Sequence, residues 1–316
     1  MNTGTPLDLT PFGFVLSGIG IVYWLIVLGA VGLVLWKVKG WPGKLILSAV
    51  VLAVLVGPVA LRLMKERTTQ QKAKTRLDAA IAQFETRCKT AGEKITHSIE
   101  NVDGVVWMKW REKGMNRHDQ FKLDDPFGKD CEAEGCIRLL LHPQGVSKLP
   151  EVARRYVGGY LFVETIDPRD GVRYRYTAVL KPLEGQREEF ERSVEQTGFG
   201  ADPEGVFVAL ERKQIDAFTA RYGITWDDIS THEDREFWIA GGSLKVVDLK
   251  TNEPIAERIG YMMDRGQGSE AGFRSPWLSA EYAACPAFDK SESNSPTKTS
   301  RSRDFIRKVL KATQGE

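Results

Sequence analysis

Residues Phe12 to Trp36, "FGFVLSGIGIVYWLIVLGAVGLVLW", run for 25 residues without a charged side chain. A backbone in lipid must satisfy its own hydrogen bonds, which confines such a stretch to a helix. At about 1.5 Å of rise per residue, the run covers the roughly 30 Å of a hydrocarbon layer with some tilt. A second apolar run, Leu45 to Leu61, holds 17 residues, ends at Arg62 and contains Pro58, which favours a kink. Trp36 and Trp41 flank the connection "KVKGWPGK", where aromatic side chains commonly anchor at an interface. The first eleven residues hold no Lys or Arg, so a cleaved signal peptide lacks its charged start. Residues 12–64 therefore read as a transmembrane helical hairpin preceded by a tail, 1–11.

Charge bears on orientation in two directions. The connecting loop carries Lys37, Lys39 and Lys44, while Arg62, Lys65, Arg67, Lys72, Lys74 and Arg76 follow the second run against Glu66. A plain count puts the large C-terminal part in the cytosol, but long domains translocate largely regardless of charge. The cysteines point the other way. "KDCEAEGC" sets Cys131 and Cys136 among Asp130, Glu132 and Glu134, where carboxylates raise a thiol pKa rather than activate it. The four histidines form no H-x-x-x-H pair, so a zinc site lacks ligands. A short disulfide loop fits best, with Cys88 and Cys285 as the second bridge. Four cysteines allow three pairings, and this one follows from proximity alone. Disulfides belong to an oxidising space, which favours a periplasmic domain on a bacterial inner membrane.

The rest of the chain reads as α+β, with an N-terminal two-helix transmembrane hairpin, a stalk helix and a predominantly antiparallel β domain with few helices. Residues 65–100 form the stalk or docking helix, with Leu77, Ile81, Phe84, Cys88, Ala91 and Ile95 on one stripe. Residues 101–289 form the soluble domain. Its expected strands are 104–112, 136–142, 159–167, 172–180, 204–213 and 216–226, the last open to a helical start, with a charged helix over 183–198 closed by Gly198. The clearest hairpin is "SLKVVDLKTNEPIAERIGYMM", 243–263, turning at Lys250 to Glu253, with Pro254 starting the second arm or marking an edge. Residues 290–316 have the composition of a disordered basic tail, in which "DFIRKVLKA" forms at most a turn or two.

Constellations of catalytic type are scarce, so no enzyme, metal or cofactor is expected. Gly266, Gly268 and Gly272 match neither a P-loop nor G-x-G-x-x-G. His118 with Asp119, Asp124 and Asp125 is the most reactive-looking cluster, but "DDPFG" has ordinary turn chemistry. His97 and His232 read as surface residues. Trp107, Trp110, Trp226, Trp238 and Trp277 accompany many arginines; core is their ordinary place, and "RSPW" is the one expected to be exposed. The Gly-rich loop with Arg265, Gln267, Arg274 and Trp277 is thus the candidate binding loop. A net charge of +2 gives no basic excess for nucleic acid.

The strings "RCKTAGEKI", "NVDGVVWMKWR", "DQFKLDDPFGKD", "SLKVVDLKTNEPIAERIGYMMDRGQG" and "ACPAF" resemble uncharacterised membrane-anchored proteins of Gram-negative bacteria, over about residues 84–288. Some of those are associated with type VI secretion phospholipase effectors, which implies an immunity role. The expected function is accordingly a membrane-anchored, non-enzymatic binding protein whose partners are the bilayer and a protein such as a secreted lipase-type effector. The alternatives are a structural or sensory subunit of an envelope complex, and an envelope hydrolase using His118.

Overall fold

The computed structural model describes residues 11–111, 118–122, 131–144, 159–197, 205–286 and 301–313. The chain divides into two units, residues 1–76 and 77–316.

In the first unit, helix α1 spans Pro11–Lys37 and α2 spans Trp41–Leu55; α3, Gly57–Cys88, begins there and ends in the second unit. Gly40, at φ 103, turns the chain between α1 and α2, with Pro42 in the first turn of α2. The second apolar run is not one helix but breaks at Val56, and α2 and α3 meet there at 45°. Pro58 supplies the cause, because it has no N–H and its ring clashes with the preceding turn. Among the described residues no single helix is long and apolar enough to cross a membrane, whereas the bent pair α2 and α3 reaches that length and composition together. Val22, Leu25, Ile26, Leu28 and Leu33 on α1, and Leu45, Ile46 and Val54 on α2, are exposed. Tyr23 Oη donates to the Leu55 carbonyl at 2.5 Å, joining the two helices.

The second unit is a mixed α+β domain built on a large, mostly antiparallel sheet. Its strands are β1 (Gly92–Ile95), β2 (Ile99–Val102), β3 (Gly104–Trp107), β4 (Pro143–Gln144), β5 (Phe162–Ile166) and β6 (Arg173–Pro182). They continue with β7 (Val206–Gln214), β8 (Tyr222–Asp228), β9 (Ile239–Asp248), β10 (Glu253–Met263), β11 (Ala284–Cys285) and β12 (Leu310–Ala312). The main sheet runs β1-β10-β9-β8-β3-β5-β6-β4, with β11 on β10 and β7 on β6. β3 lies parallel to both β5 and β8 and is buried throughout, as a strand covered on both faces must be. Helices α4 (Glu134–Leu140), α5 (Arg187–Thr197), α6 (His232–Glu236), α7 (Pro276–Ala280) and α8 (Arg301–Val309) complete the unit. The expected hairpin 243–263 is present as β9 and β10, with a register shift between Pro254 and Ala256 where proline removes a ladder donor.

Four expectations are corrected here. The helix expected over 65–100 stops at Cys88, because Gly92 sits at φ 133 and starts β1. Residues 136–142 are not a strand but lie mostly in α4, which buries Cys136, Ile137, Arg138 and Leu140. A short apolar run suits either period, and here the helical one wins. Of 216–226, only the part from Tyr222 is strand; the preceding segment wraps the buried Glu164 carboxylate, to which Thr219 N and Ala220 N donate at 2.7 and 3.0 Å. The basic tail is ordered over 301–313, while 290–300 lies outside the described residues. Phe305, Ile306, Val309 and Leu310 have no exposed surface and join the main core with Val105, Trp107 and Tyr160. A polar side chain of the tail turns inward as well: Ser302 Oγ accepts from Arg111 and Arg258, each at 3.3 Å. Composition alone hides this, since three apolar side chains at helical spacing, with Leu310 just beyond them, suffice to dock a nine-residue helix.

Buried acids hold the sheet's far half. Asp167 is fully buried and accepts from Arg169 Nε at 2.8 Å, Arg212 Nη1 at 2.7 Å and Tyr176 Oη at 3.1 Å. Burial pushes its carboxyl up, but Arg169 outweighs that and holds it down at about 2. Because the folded-state value lies below the unfolded one, this stabilisation is complete above about pH 4 and is lost as pH falls through about 2. Its size is about 2 kcal/mol at neutral pH. Asp167→Asn should therefore lose about that much at pH 7 and show a shallower acid denaturation profile below pH 4. Equal slopes in the two proteins would refute this role.

Candidate binding surface at residues 264–283

The Gly-rich loop after β10 has the look of an anion cradle, and an anion does occupy it: the chain's own Asp264. This carboxylate has no exposed surface. Gly266 N donates to Oδ1 at 2.9 Å and Gly268 N to Oδ2 at 2.8 Å. The Arg274 guanidinium binds both oxygens and also donates to the Ser269 carbonyl at 2.6 Å. The carboxylate raises the pKa of Arg274 through that hydrogen bond, against a smaller opposing effect of burial. Gly268 is required on two counts. Its φ is 81°, and a Cβ there would come within 2.5 Å of the Trp238 ring.

Beneath the loop lies an aromatic floor. Trp238 and Trp277 pack with ring centroids 5.2 Å apart, and the Arg235 guanidinium lies 5.1 Å from the Trp277 centroid. Trp277 Nε1 donates to the Asp119 carbonyl at 2.9 Å. Gln120 Nε2 donates to the carbonyls of Arg235 and Glu236 at 2.7 and 2.9 Å. Thr231 and Asp234 form a capping box on α6. Asp234 also accepts from Arg87 Nε at 2.9 Å and Gln83 Nε2 at 2.8 Å, which fixes α6 to α3. Burial pushes the Asp234 carboxyl up, but Arg87 and the Thr231 N–H outweigh it and hold the carboxyl down. At the far end, Cys285 in β11 stands 2.03 Å, sulfur to sulfur, from Cys88 at the end of α3.

A loop secured in this way still exposes large apolar side chains. Phe273 is completely exposed, Tyr282 is 86% exposed, and Leu278 is exposed beside them in sequence. The backbone pays a conformational cost here. Trp238, Gln267 and Phe273 have φ of 56°, 48° and 62°, half of the six positive-φ residues other than glycine among those described. Bulky side chains rarely occupy that region, and such strain persists only where the surroundings over-determine it.

The four residues singled out from the sequence thus divide. Arg265 is exposed. Gln267 is tied inward, its Nε2 donating to the Phe237 carbonyl at 2.8 Å, and Arg274 serves Asp264. Trp277, expected at the surface, is fully buried, because its indole N–H finds a carbonyl and its ring finds Trp238 and Arg235. Sequence reasoning missed Phe273, Leu278, Tyr282 and Asp264. The signal available was the acid two residues before G-x-G, a D-x-G-x-G pattern that reads as a turn built around its side chain.

The remaining candidates lie elsewhere or are exposed. Cys131 and Cys136 stand at disulfide distance, 2.19 Å, closing a separation of five residues. His118 Nδ1 lies 2.7 Å from Glu270 Oε1, both more than half exposed, so water has the same access to any proton they move. Asp124 and Asp125 lie outside the described residues. His97 is exposed, and His232 stacks on Phe121 at 4.9 Å. Trp107, Trp226 and Trp238 are buried and Trp110 is partly so. Among the described residues no three His, Cys, Asp or Glu side chains gather as a metal site. No family model, curated protein or solved structure matches the chain.

Proposed function

We propose that this chain is a membrane-anchored, non-enzymatic binding protein that grips a protein partner through residues 264–283. The carrying observation is Phe273: a fully exposed phenyl ring at φ 62°, displayed by a loop fastened from beneath at Asp264 and Trp277. A rigid aromatic display is what a binding surface needs. Aromatic anchors dominate interface energetics, and an ordered loop loses little entropy on docking. Exposed apolar side chains along α1 and α2 support the anchor, since such surface calls for lipid or another helix as cover. Two cysteine pairs at disulfide distance support an oxidising compartment, hence a periplasmic position at the inner membrane. The narrower reading is an immunity protein that covers a secreted antibacterial effector, an activity that requires a complementary surface and no catalytic group.

A photocrosslinking phenylalanine analogue at position 273 of the full chain, in its own membrane, tests the reading. One discrete protein adduct is expected, several-fold weaker when Tyr282→Ala is added. The same probe at Arg187 of α5, 88% exposed, should give none. Adducts with lipid alone, or the same pattern from both positions, would overturn the assignment.

A further inference from the structure

At the opposite end of the sheet, β7 pairs with β6 and with no other strand among the described residues. Its register runs from Pro182↔Val206 to Tyr174↔Gln214. Leu183 N donates to the Gly205 carbonyl and Ile215 N to the Arg173 carbonyl, so the odd-numbered residues of β7 bond inward to β6. Val206, Val208, Leu210, Arg212 and Gln214 therefore aim their backbone N–H and C=O groups outward.

The two halves of this edge differ. Phe207, Val208 and Ala209 are buried, the Phe190 ring of α5 packs on Phe207 at 5.6 Å, and the Arg138 guanidinium donates to the Val208 carbonyl. That half is closed. Glu211, Arg212, Lys213 and Gln214 are exposed, and among the described residues nothing bonds the outward backbone groups of Leu210, Arg212 and Gln214. A bare edge of this sort is a template for another strand.

We infer that residues 210–214 of β7 form a two-fold interface with the same segment of a second copy of this chain, joined antiparallel about Arg212. The sequence LERKQ is self-complementary in that register. Leu210 and Gln214 bond across as outward-facing partners, and Arg212 meets its own counterpart. Glu211 then falls opposite Lys213 twice, at the closely spaced positions of an antiparallel ladder. Sliding by one step of the ladder in either direction sets Glu211 against Glu211, or Lys213 against Lys213. Arg212 does not repel its twin at full strength, because each guanidinium is held 2.7 Å from its own Asp167 and lies over its own Tyr174 ring. The closed half stops the ladder at Val208, so the interface is short and the dimer reversible. An acidic extended peptide could use the same backbone groups, but the alternation of Glu211 and Lys213 matches this chain better.

Charge exchange in the full-length protein in mild detergent tests this, read by sedimentation velocity with differently labelled copies. The native chain should show a concentration-dependent dimer. Glu211→Lys, which also gives up the surface pair of Glu211 with Lys181 at 3.4 Å, and Lys213→Glu should each weaken it about tenfold or more while keeping a melting temperature close to the native one. Mixed together, the two variants should dimerise with one another as the native chain does, since both 211–213 pairs are then of opposite sign and the Arg212 pair is unchanged. Gln214→Pro, which removes one outward N–H and leaves the β6 ladder and both charges intact, should also abolish the dimer. A native chain that is monomeric at the highest concentration reached, or single variants that do not recover on mixing, would overturn the interface. Binding of an acidic peptide by a monomer would reassign the edge.

Discussion

Replacing Cys88 and Cys285 by alanine is expected to lower the stability of residues 77–316 by about 5 kcal/mol, against about 2 kcal/mol for Cys131 and Cys136. The difference comes from the unfolded chain. The first bridge joins positions 197 residues apart and the second only five. Loop-closure entropy grows with the logarithm of that separation, so the longer bridge restricts the unfolded ensemble far more. Native packing adds to the contrast. Cys285 packs against the small core of Ala80, Ile239, Tyr261 and Met263, beneath which α3 meets the sheet. Since a domain of this size is stable by only about 5–15 kcal/mol, loss of the long bridge brings it near unfolding. Denaturant titration of the two double variants checks this directly. Equal costs would mean that both bridges act through local packing and that the loop argument is wrong here.

Where the sequence was legible, a single local rule dominated. The hairpin of β9 and β10 has apolar, strand-length arms and turn residues between them, with Asn252 at φ 59° supplying the reversal. The cysteine pairing followed from proximity because few pairings exist. The missed parts depend on contacts between distant residues. Trp277 gives no local sign that Asp119, 158 residues away, will accept its indole N–H. Nothing in "RSRDFIRKVL" announces that Tyr160 Oη will donate to the Leu310 carbonyl at 2.6 Å, or that Val102 will accept from Thr313. Charge-rich composition pointed to solvent, while four apolar side chains and a parallel pairing of β12 with β2 decided for the core. The segment from residue 264 was legible as a loop, and the placing of its side chains was not. The loop was located by its glycines, but those glycines serve Asp264, and the exposed aromatics are residues that the pattern did not mark.

That inversion leads to the other large effect. Asp264→Ala is expected to release the loop, because it removes the acceptor of two backbone N–H groups and the counter-charge of Arg274 in one step. Breaking such a buried pair on one side costs about 3–5 kcal/mol. Most of that cost should be local: β9 and β10 keep their ladder, and Cys88–Cys285 still anchors the end of the segment. Hydrogen exchange should therefore speed up by orders of magnitude at Gly266 and Gly268 and stay native across β8, β9 and β10. Trp277 should lose its seat between Trp238 and Arg235, shifting tryptophan fluorescence to the red. Phe273→Ala provides the contrast, since its ring touches solvent and its removal leaves exchange unchanged. If residues 264–283 bind a partner as a preorganised display, both variants lose the photocrosslinked adduct placed at Tyr282, one through disorder and the other through a missing anchor. Full adduct from an Asp264→Ala chain whose loop exchanges freely would mean that the partner does not need the loop's shape, and that the strain at Phe273 has another origin.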